Sequence, residues 1–303
     1  MITCALTGGD TVPSQSDALP LSPEEIVAAA VEAREAGAAV VHVHGRGPEG
    51  RPTSDPDLLA RIVAGIRERT DLIVNVTTGG GAGMTFEERV ASIPAVRPEI
   101  GTFNLGSFDF WLFPAAGKID RYRFEWERPH LEGTKGYVFE NTFAHMERLA
   151  ALFRETGTVP EFEAYDVAHL YNLAFLLRQG VVEPPIRLQF VLGVLGAMWG
   201  DVRDLVFMLD TANRLLDGVP FVWSVAGVGY PREFHLATVA MIMGGNVRVG
   251  LEDNVRSSRE SAATGNGELV AKAVRLAREL ERVPVEPDRA RELLMLDGGR
   301  LAA

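Results

Sequence analysis

The chain has 303 residues, 47% of them hydrophobic and 23% charged, enough for a sizeable core in one large α/β domain or two small ones. A net charge of −11 and a pI near 5.1 argue against nucleic acid or an anionic membrane surface as partner, so an anionic cofactor must be met by local arginines and backbone amides. The one cysteine, Cys4, excludes a disulfide framework or a thiolate metal cluster within the chain. Met1 to Leu6 has no charged lead and is too short for a signal core, and no stretch has the length of a membrane span; with the single cysteine, this predicts a cytoplasmic protein.

Short apolar runs alternate with longer amphipathic ones from end to end. Ile2 to Leu6 reads as a first strand, and Ser22-Pro23-Glu24-Glu25 opens a helix with a capping box and proline at N1, closed by Gly37. Ala39 to His44 is the next strand, and a helix over 57–69 leads to strand Leu72 to Val76 and then Thr77-Thr78-Gly79-Gly80-Gly81. Thr85 caps a short helix before strand Ile100 to Asn104. Residues 107–141 break the rhythm, with Phe108, Phe110, Trp111, Phe113, Tyr122, Phe124 and Trp126 scattered among charges without a period. They read as an insertion, either a lid or subunit contact or an irregular surface loop with its own small core. Alternation then resumes with strands Glu161 to Tyr165, Ile186 to Leu192, Phe221 to Val225 and Asn246 to Gly250, each followed by a helix. A short docking helix is expected within Pro287 to Leu296. Eight strand–helix units predict a single (β/α)8 barrel over 1–303, with the 107–141 insertion after strand 4. A doubly wound open sheet is the alternative, weakened because Gly8-Gly9 is not the glycine fingerprint of a dinucleotide fold.

Barrel enzymes carry their chemistry at the C-terminal ends of the strands. Val40-Val41-His42-Val43-His44 places two imidazoles on one face of a strand, roughly 7 Å apart along the backbone, where they can converge on one metal. Core histidines with backbone partners would give the same spacing. Arg248-Val249-Gly250-Leu251-Glu252-Asp253-Asn254 closes the eighth strand, which neighbours the first in a closed barrel and so brings Glu252 and Asp10 near the pair. Two histidines and one carboxylate leave a coordination position open, as in a catalytic metal site. Adjacent Glu252 and Asp253 do not both coordinate easily, leaving one carboxylate for base work or for an ordinary ion pair with Arg248. Strand ends also present Thr77, Thr78, Thr102, Asn104, Glu161, Glu163 and Asp166.

Ile2-Thr3-Cys4-Ala5-Leu6-Thr7-Gly8, His42-Val43-His44-x-Arg46, Thr77-Thr78-Gly79-Gly80, Phe190-Val191-Leu192-Gly193 and Arg248 to Asn254 together resemble the β-keto acid cleavage enzymes, relatives of the 3-keto-5-aminohexanoate cleavage enzyme of lysine fermentation. The resemblance runs from residue 2 to about 296, with the aromatic insertion outside it. It implies a zinc-dependent barrel, usually a homotetramer, that condenses a β-keto acid with acetyl-CoA to give acetoacetate and a new acyl-CoA. Carried over by motif, His42, His44 and Glu252 are the Zn2+ ligands, and Asp253 is the base, oriented by Arg248 and Thr78. Thr102 and Asn104 line the pocket, with Glu163 or Glu161 contributing from strand 5. Gly47 stands where the family commonly has aspartate, and Asp10 replaces the glutamate that binds the substrate amine in the lysine-pathway enzyme. For the CoA phosphates, Gly227 and Gly229 with Arg232 are one cradle, because barrels often bind phosphate after strand 7; Gly193, Gly196 and Gly200 are another. A different metal barrel, aldolase or amidohydrolase, and a non-catalytic ligand-binding barrel are competing readings. His169 and His235 fall inside helices rather than where an amidohydrolase needs further ligands.

Overall fold

The computed structural model describes residues 1–296. Eight parallel strands close on themselves: β1 (Ile2–Ala5), β2 (Val40–Val43), β3 (Ile73–Val76), β4 (Ile100–Asn104), β5 (Val159–Ala164), β6 (Ile186–Leu192), β7 (Phe221–Gly227) and β8 (Asn246–Val249). Each pairs with its neighbours in sequence. β8 closes the circle on β1, with Thr3 opposite Arg248, while Ala5 lies opposite His42 on the other side. The open sheet is thereby excluded, and the predicted barrel is the fold.

Local sequence explains where the surrounding helices begin. In α1 (Pro23–Ala36), Ser22 accepts from the Glu25 amide and Glu25 reaches back to the Ser22 amide; Gly37, at φ +113°, takes the left-handed turn that ends the helix. In α2 (Pro56–Arg69) Asp55 is the cap, accepting from the Leu58 amide at 2.8 Å. The short helix after Thr85 is α3 (Phe86–Val90), followed by one further turn, α4 (Ile93–Val96). The 107–141 segment is ordered by its aromatics. It forms a two-stranded antiparallel pair (Phe108–Asp109 with Val138–Phe139), a 3-10 stretch (Phe113–Lys118) and α5 (Glu127–Gly133). Trp126 and Leu131 pack with Val12 into a separate small core, so the segment docks on the loop after β1. Its other edge docks on the loop after β6, where Trp111 pairs with Leu195.

Helices α6 (Phe143–Thr156), α7 (Val167–Arg178), α8 (Val202–Leu215), α9 (Arg232–Ile242) and α10 (Asn266–Glu279) complete the outer ring. The last element, α11 (Pro287–Leu293), packs Ala290 and Leu294 against Val40, Ile73 and Ile100, the first inward-facing residues of β2, β3 and β4. Arg187 reinforces this closure, donating to the carbonyls of Leu294 and Met295. Outward-facing residues fill the layer between strands and helices. Phe103 is fully buried there, 5.1 Å from the Phe162 ring and 6.2 Å from Phe153. Phe103→Ala should therefore lower unfolding free energy by about 3–5 kcal/mol in urea titration, the usual cost of an unfilled aromatic site.

Candidate active site

The C-terminal ends of the strands open into a cavity of about 720 Å³. His42 and His44 face it side by side, buried, with their Nε2 atoms 3.1 Å apart. Glu252 Oε1 lies 3.5 Å from the first and 3.4 Å from the second. Three donors of a tetrahedral zinc, each about 2.0–2.1 Å from the ion, stand about 3.3–3.4 Å from one another, so this triangle has the right size. Among the described residues it is the group of histidines and carboxylates whose ligand atoms converge. Glu252 Oε2 is buried without a hydrogen-bond partner among the described residues, a costly arrangement unless an ion compensates it. Burial depresses the His42 pKa to about 3, which keeps the ring neutral and its lone pair available. The donor set fits a divalent metal with an open position.

Backbone geometry brings this triangle together. Gly250 sits at φ +147°, and a Cβ there would come within 2.1 Å of the Ala5 carbonyl. A Cβ on Gly8 would meet the Glu252 side chain at 2.5 Å, and one on Gly9 the Gly80 carbonyl at 2.1 Å. The loop after β1 thus passes against both the acidic turn and the loop after β3, and only glycines allow it. Arg46 anchors that loop. It is 1% exposed and donates to Thr7 Oγ1, to the Thr7 and Thr11 carbonyls and to the Gly50 carbonyl.

Arg248 is the centre of charge. Nε and Nη2 grip both Asp253 oxygens at 2.8 and 2.9 Å; Nη2 also meets Glu252 Oε1 at 2.7 Å, and Nη1 meets Gln189 at 3.1 Å and Glu163 at 3.4 Å. All five guanidinium donors are committed. Burial opposes its charge, but Asp253 and Glu252 hold its pKa well above the usual value. Burial also opposes ionisation of Glu252, but Arg248 and the histidines hold its pKa well below normal. Burial pushes Asp253 up against the pull of Arg248, and the Glu252 charge adds to the rise. Two adjacent carboxylates are thus driven apart: an acidic one toward the histidines and a more basic one beside it.

The remaining sequence expectations divide. Asn104 and Glu163 are on the cavity wall, joined at 2.8 Å, with the Tyr165 hydroxyl 3.4 Å from Glu163. Of the two strand-5 glutamates it is Glu163 that reaches the cavity; Glu161 lies one layer below, where Asn75 donates to it at 2.5 Å. Asp10 is on the wall, its Oδ1 3.7 Å from His130 Nε2 of α5. Three expectations need correction, at Thr78, Thr102 and Gly227. Thr78 does not orient Asp253: its hydroxyl donates to the Thr102 carbonyl at 2.7 Å, and its amide donates to Thr102 Oγ1 at 2.8 Å. Thr102 is used up in that pairing, and the cavity is lined by Thr77 instead of either. Gly227 also lies off the wall; a Cβ there would strike the Arg232 carbonyl at 2.7 Å, so it serves the packing of β7 on α9. Gly229 and Arg232 do line the cavity, with the Arg232 guanidinium 4.9 Å from the Trp199 ring. Gly193 lines it too, whereas Gly196 packs on Asp109 and Gly200 on Gly193 itself.

The family model described as beta-keto acid cleavage enzyme matches residues 1–296. The chain belongs to that family. It is 38% identical to a 3,5-dioxohexanoate:acetyl-CoA acetone transferase of Paraburkholderia graminis, over 98% of this chain and 96% of the relative. It is 35% identical to a 3-keto-5-aminohexanoate cleavage enzyme of Fusobacterium nucleatum, over 98% and 97%. Among solved structures, apo ObcA shares the fold at a TM-score of 0.68 and 20% identity, over 91% of this chain and 65% of that one. Family membership sets aside the amidohydrolase and non-catalytic readings.

The cavity's charge makes a pH signature. Burial lifts Glu163 to about 8, with Arg248 opposing and Glu161 adding to the rise. A carboxyl raised in the folded state favours folding below its unfolded pKa and loses that advantage as pH rises toward about 8. In metal-free protein, urea stability of the wild type should fall between pH 5 and pH 8 by more than that of Glu163→Gln, which has no proton to lose there.

Proposed function

We propose that this protein is a Zn2+-dependent enzyme that condenses a β-keto acid with acetyl-CoA, releasing acetoacetate and the acyl-CoA of the keto acid's remaining part. The observation that carries the reading is the His42–His44–Glu252 triangle with Asp253 held beside it by Arg248, in a chain of this family. A divalent metal bound by His42, His44 and Glu252 would act as a Lewis acid toward the keto group as negative charge develops.

The chain's own residues supply the rest. Asp253, made more basic by burial and by Glu252, takes the proton from the carbon between keto and carboxylate groups. Arg248 fixes its carboxylate and keeps the local charge balanced. The electron pair left on that carbon bonds to the acetyl carbonyl carbon of acetyl-CoA, the C–S bond breaks and CoA leaves as thiolate. The thiolate then attacks the original keto carbon. The bond between that carbon and its α-carbon breaks, giving the new acyl-CoA, and acetoacetate takes a proton back from Asp253. Asn104 and Glu163 line the substrate side of the cavity, while Phe108, Phe110, Tyr137 and Phe139 from the insertion wall it and keep water from the carbanion. Gly229 and Arg232 are our assignment for the CoA phosphates, supported by their place on the same wall. The one buried cysteine suits a reducing cytoplasm, and exposed Tyr171, Phe175 and Phe207 on α7 and α8 offer an apolar face for the homotetramer that the family resemblance implies.

The relatives' names share the β-keto acid head and differ in the tail: a diketone in one, an amine in another, a dicarboxylate in the 3-oxoadipate:acetyl-CoA acetyltransferase of Cupriavidus necator. Tail recognition therefore falls to the outer wall, where Asp10 can pair with a cationic or hydroxyl group. The test is a screen of β-keto acids with acetyl-CoA, reading acetoacetate; formation from none of them overturns the proposal.

Two variants refine it. Asp253→Asn should keep the fold and the metal content but lose about 10²–10⁴ in kcat, whereas wild-type turnover would assign the proton to another group. Asp10→Ala should lower kcat/KM for a polar or cationic keto acid far more than for an aliphatic one, because a site built to hydrogen-bond a substrate group discriminates strongly against analogues without it. Equal loss on both would make Asp10 structural.

A further inference from the structure

The turn that presents Glu252 and Asp253 is held from outside the cavity. Every backbone N–H from Gly250 to Asn254 is engaged: Gly250 by Glu233 Oε1 at 2.8 Å, Leu251 by Asn266 Oδ1 at 3.0 Å, Glu252 by the Ala5 carbonyl at 3.2 Å, and Asp253 and Asn254 by the Gly250 carbonyl at 3.0 Å. The Asp253 carbonyl accepts from the Gly229 amide, and the Glu252 carbonyl from the Thr11 hydroxyl. Within this frame Glu233, on α9, is unusual. It is 0% exposed, makes no ion pair among the described residues, and is buried behind the turn rather than in the cavity. Leaving a carboxylate there is costly unless both oxygens are satisfied. Oε1 takes the Gly250 amide, and Oε2 takes Asn254 Nδ2 at 2.9 Å. Asn254 is not free to turn its amide over, since its Oδ1 accepts from the Arg256 amide at 3.0 Å and its Nδ2 also donates to the Arg256 carbonyl at 2.7 Å. Both donors therefore point at Glu233, and a side chain with two acceptors at its tip answers both.

We infer that Glu233, acting through Gly250 and Asn254, is a positioning residue that fixes the metal-ligand turn and couples it to the loop at the cavity mouth, to which Val255 and Arg256 belong. The inference rests on His42, His44 and Glu252 binding metal. Glutamine at this position has the same shape but one acceptor, so it must turn an N–H toward either Gly250 or Asn254 and let the turn shift. Ligands that shift lose affinity, as outer partners of metal ligands generally show.

The experiment measures Zn2+ affinity by competition with a chromogenic chelator, alongside the Tm of metal-free protein, in wild type, Glu233→Gln, Asn254→Ala, their double variant and Arg187→Gln. Arg187 is the control: it is buried at the opposite end of the barrel, where it braces the carbonyls after α11. Glu233→Gln should weaken Zn2+ binding about 10–100-fold, while Arg187→Gln lowers Tm and leaves affinity within about threefold. With Asn254 truncated, the glutamine introduced by Glu233→Gln can give its acceptor to Gly250 without opposing a donor. The double variant should accordingly lose less affinity than the product of the two single losses. Wild-type affinity in Glu233→Gln, or losses that simply multiply, overturns the inference. If Glu233→Gln does not fold, Asn254→Ala decides: unchanged affinity there overturns it as well. Absence of Zn2+ binding in the wild type removes the metal reading itself and this inference with it, which distinguishes the two failures.

Discussion

Four carboxylates, Glu161, Glu163, Glu252 and Asp253, lie buried in the barrel's upper half, and one guanidinium stands among them. Arg248 touches three of the four and has no donor to spare. Without it burial would drive Glu252 toward protonation along with the already raised Asp253 and Glu163, and the distinction between an acidic Glu252 and a more basic Asp253 would collapse. The barrel's closure makes the arrangement possible. β8 is hydrogen-bonded to β1, and β1 to β2, so Arg248 and Glu252 arrive beside histidines that lie some two hundred residues earlier. Fold and chemistry meet in that seam.

The seam is also where backbone space is tightest. Gly8, Gly9 and Gly250 occupy positions where a methyl group would overlap a carbonyl or the Glu252 side chain itself. Arg46 then ties down the loop that these glycines allow to pass. Its role gives the arginine two residues beyond the histidine pair a mechanical meaning: it lies off the cavity wall and holds the loop carrying Asp10.

Much of this was legible in the sequence because the signals were periodic or clustered. Alternating strand and helix patterns gave the barrel to within a residue or two at most ends, and Ile100 to Asn104 and Ile186 to Leu192 agree fully. The histidine pair and the Glu-Asp turn could be joined only because a closed barrel makes the last strand a neighbour of the first. Thr78 and Thr102 were misplaced for a physical reason. Threonine hydroxyls readily satisfy backbone groups, and nothing in sequence spacing says whether a hydroxyl faces a cavity or a neighbouring strand. Asn75, Gln189 and Glu233 carried no assignment, although the first two left a trace: a lone amide inside an otherwise apolar strand must find a buried partner. Those partners, Glu161 for one and Arg248 with Ser224 for the other, come from distant strands. Residues 107–141 lacked a period because their order comes from contacts with two other loops rather than from their own pattern.

The C-terminal helix gives the barrel a floor. Ala290 and Leu294 plug the end opposite the cavity, and Arg187 bolts the following carbonyls in place. Among the described residues the hollow of the barrel therefore faces the strand ends, where the aromatic segment lines it. A helix that never meets a reactant thus makes the barrel a cup with one open end.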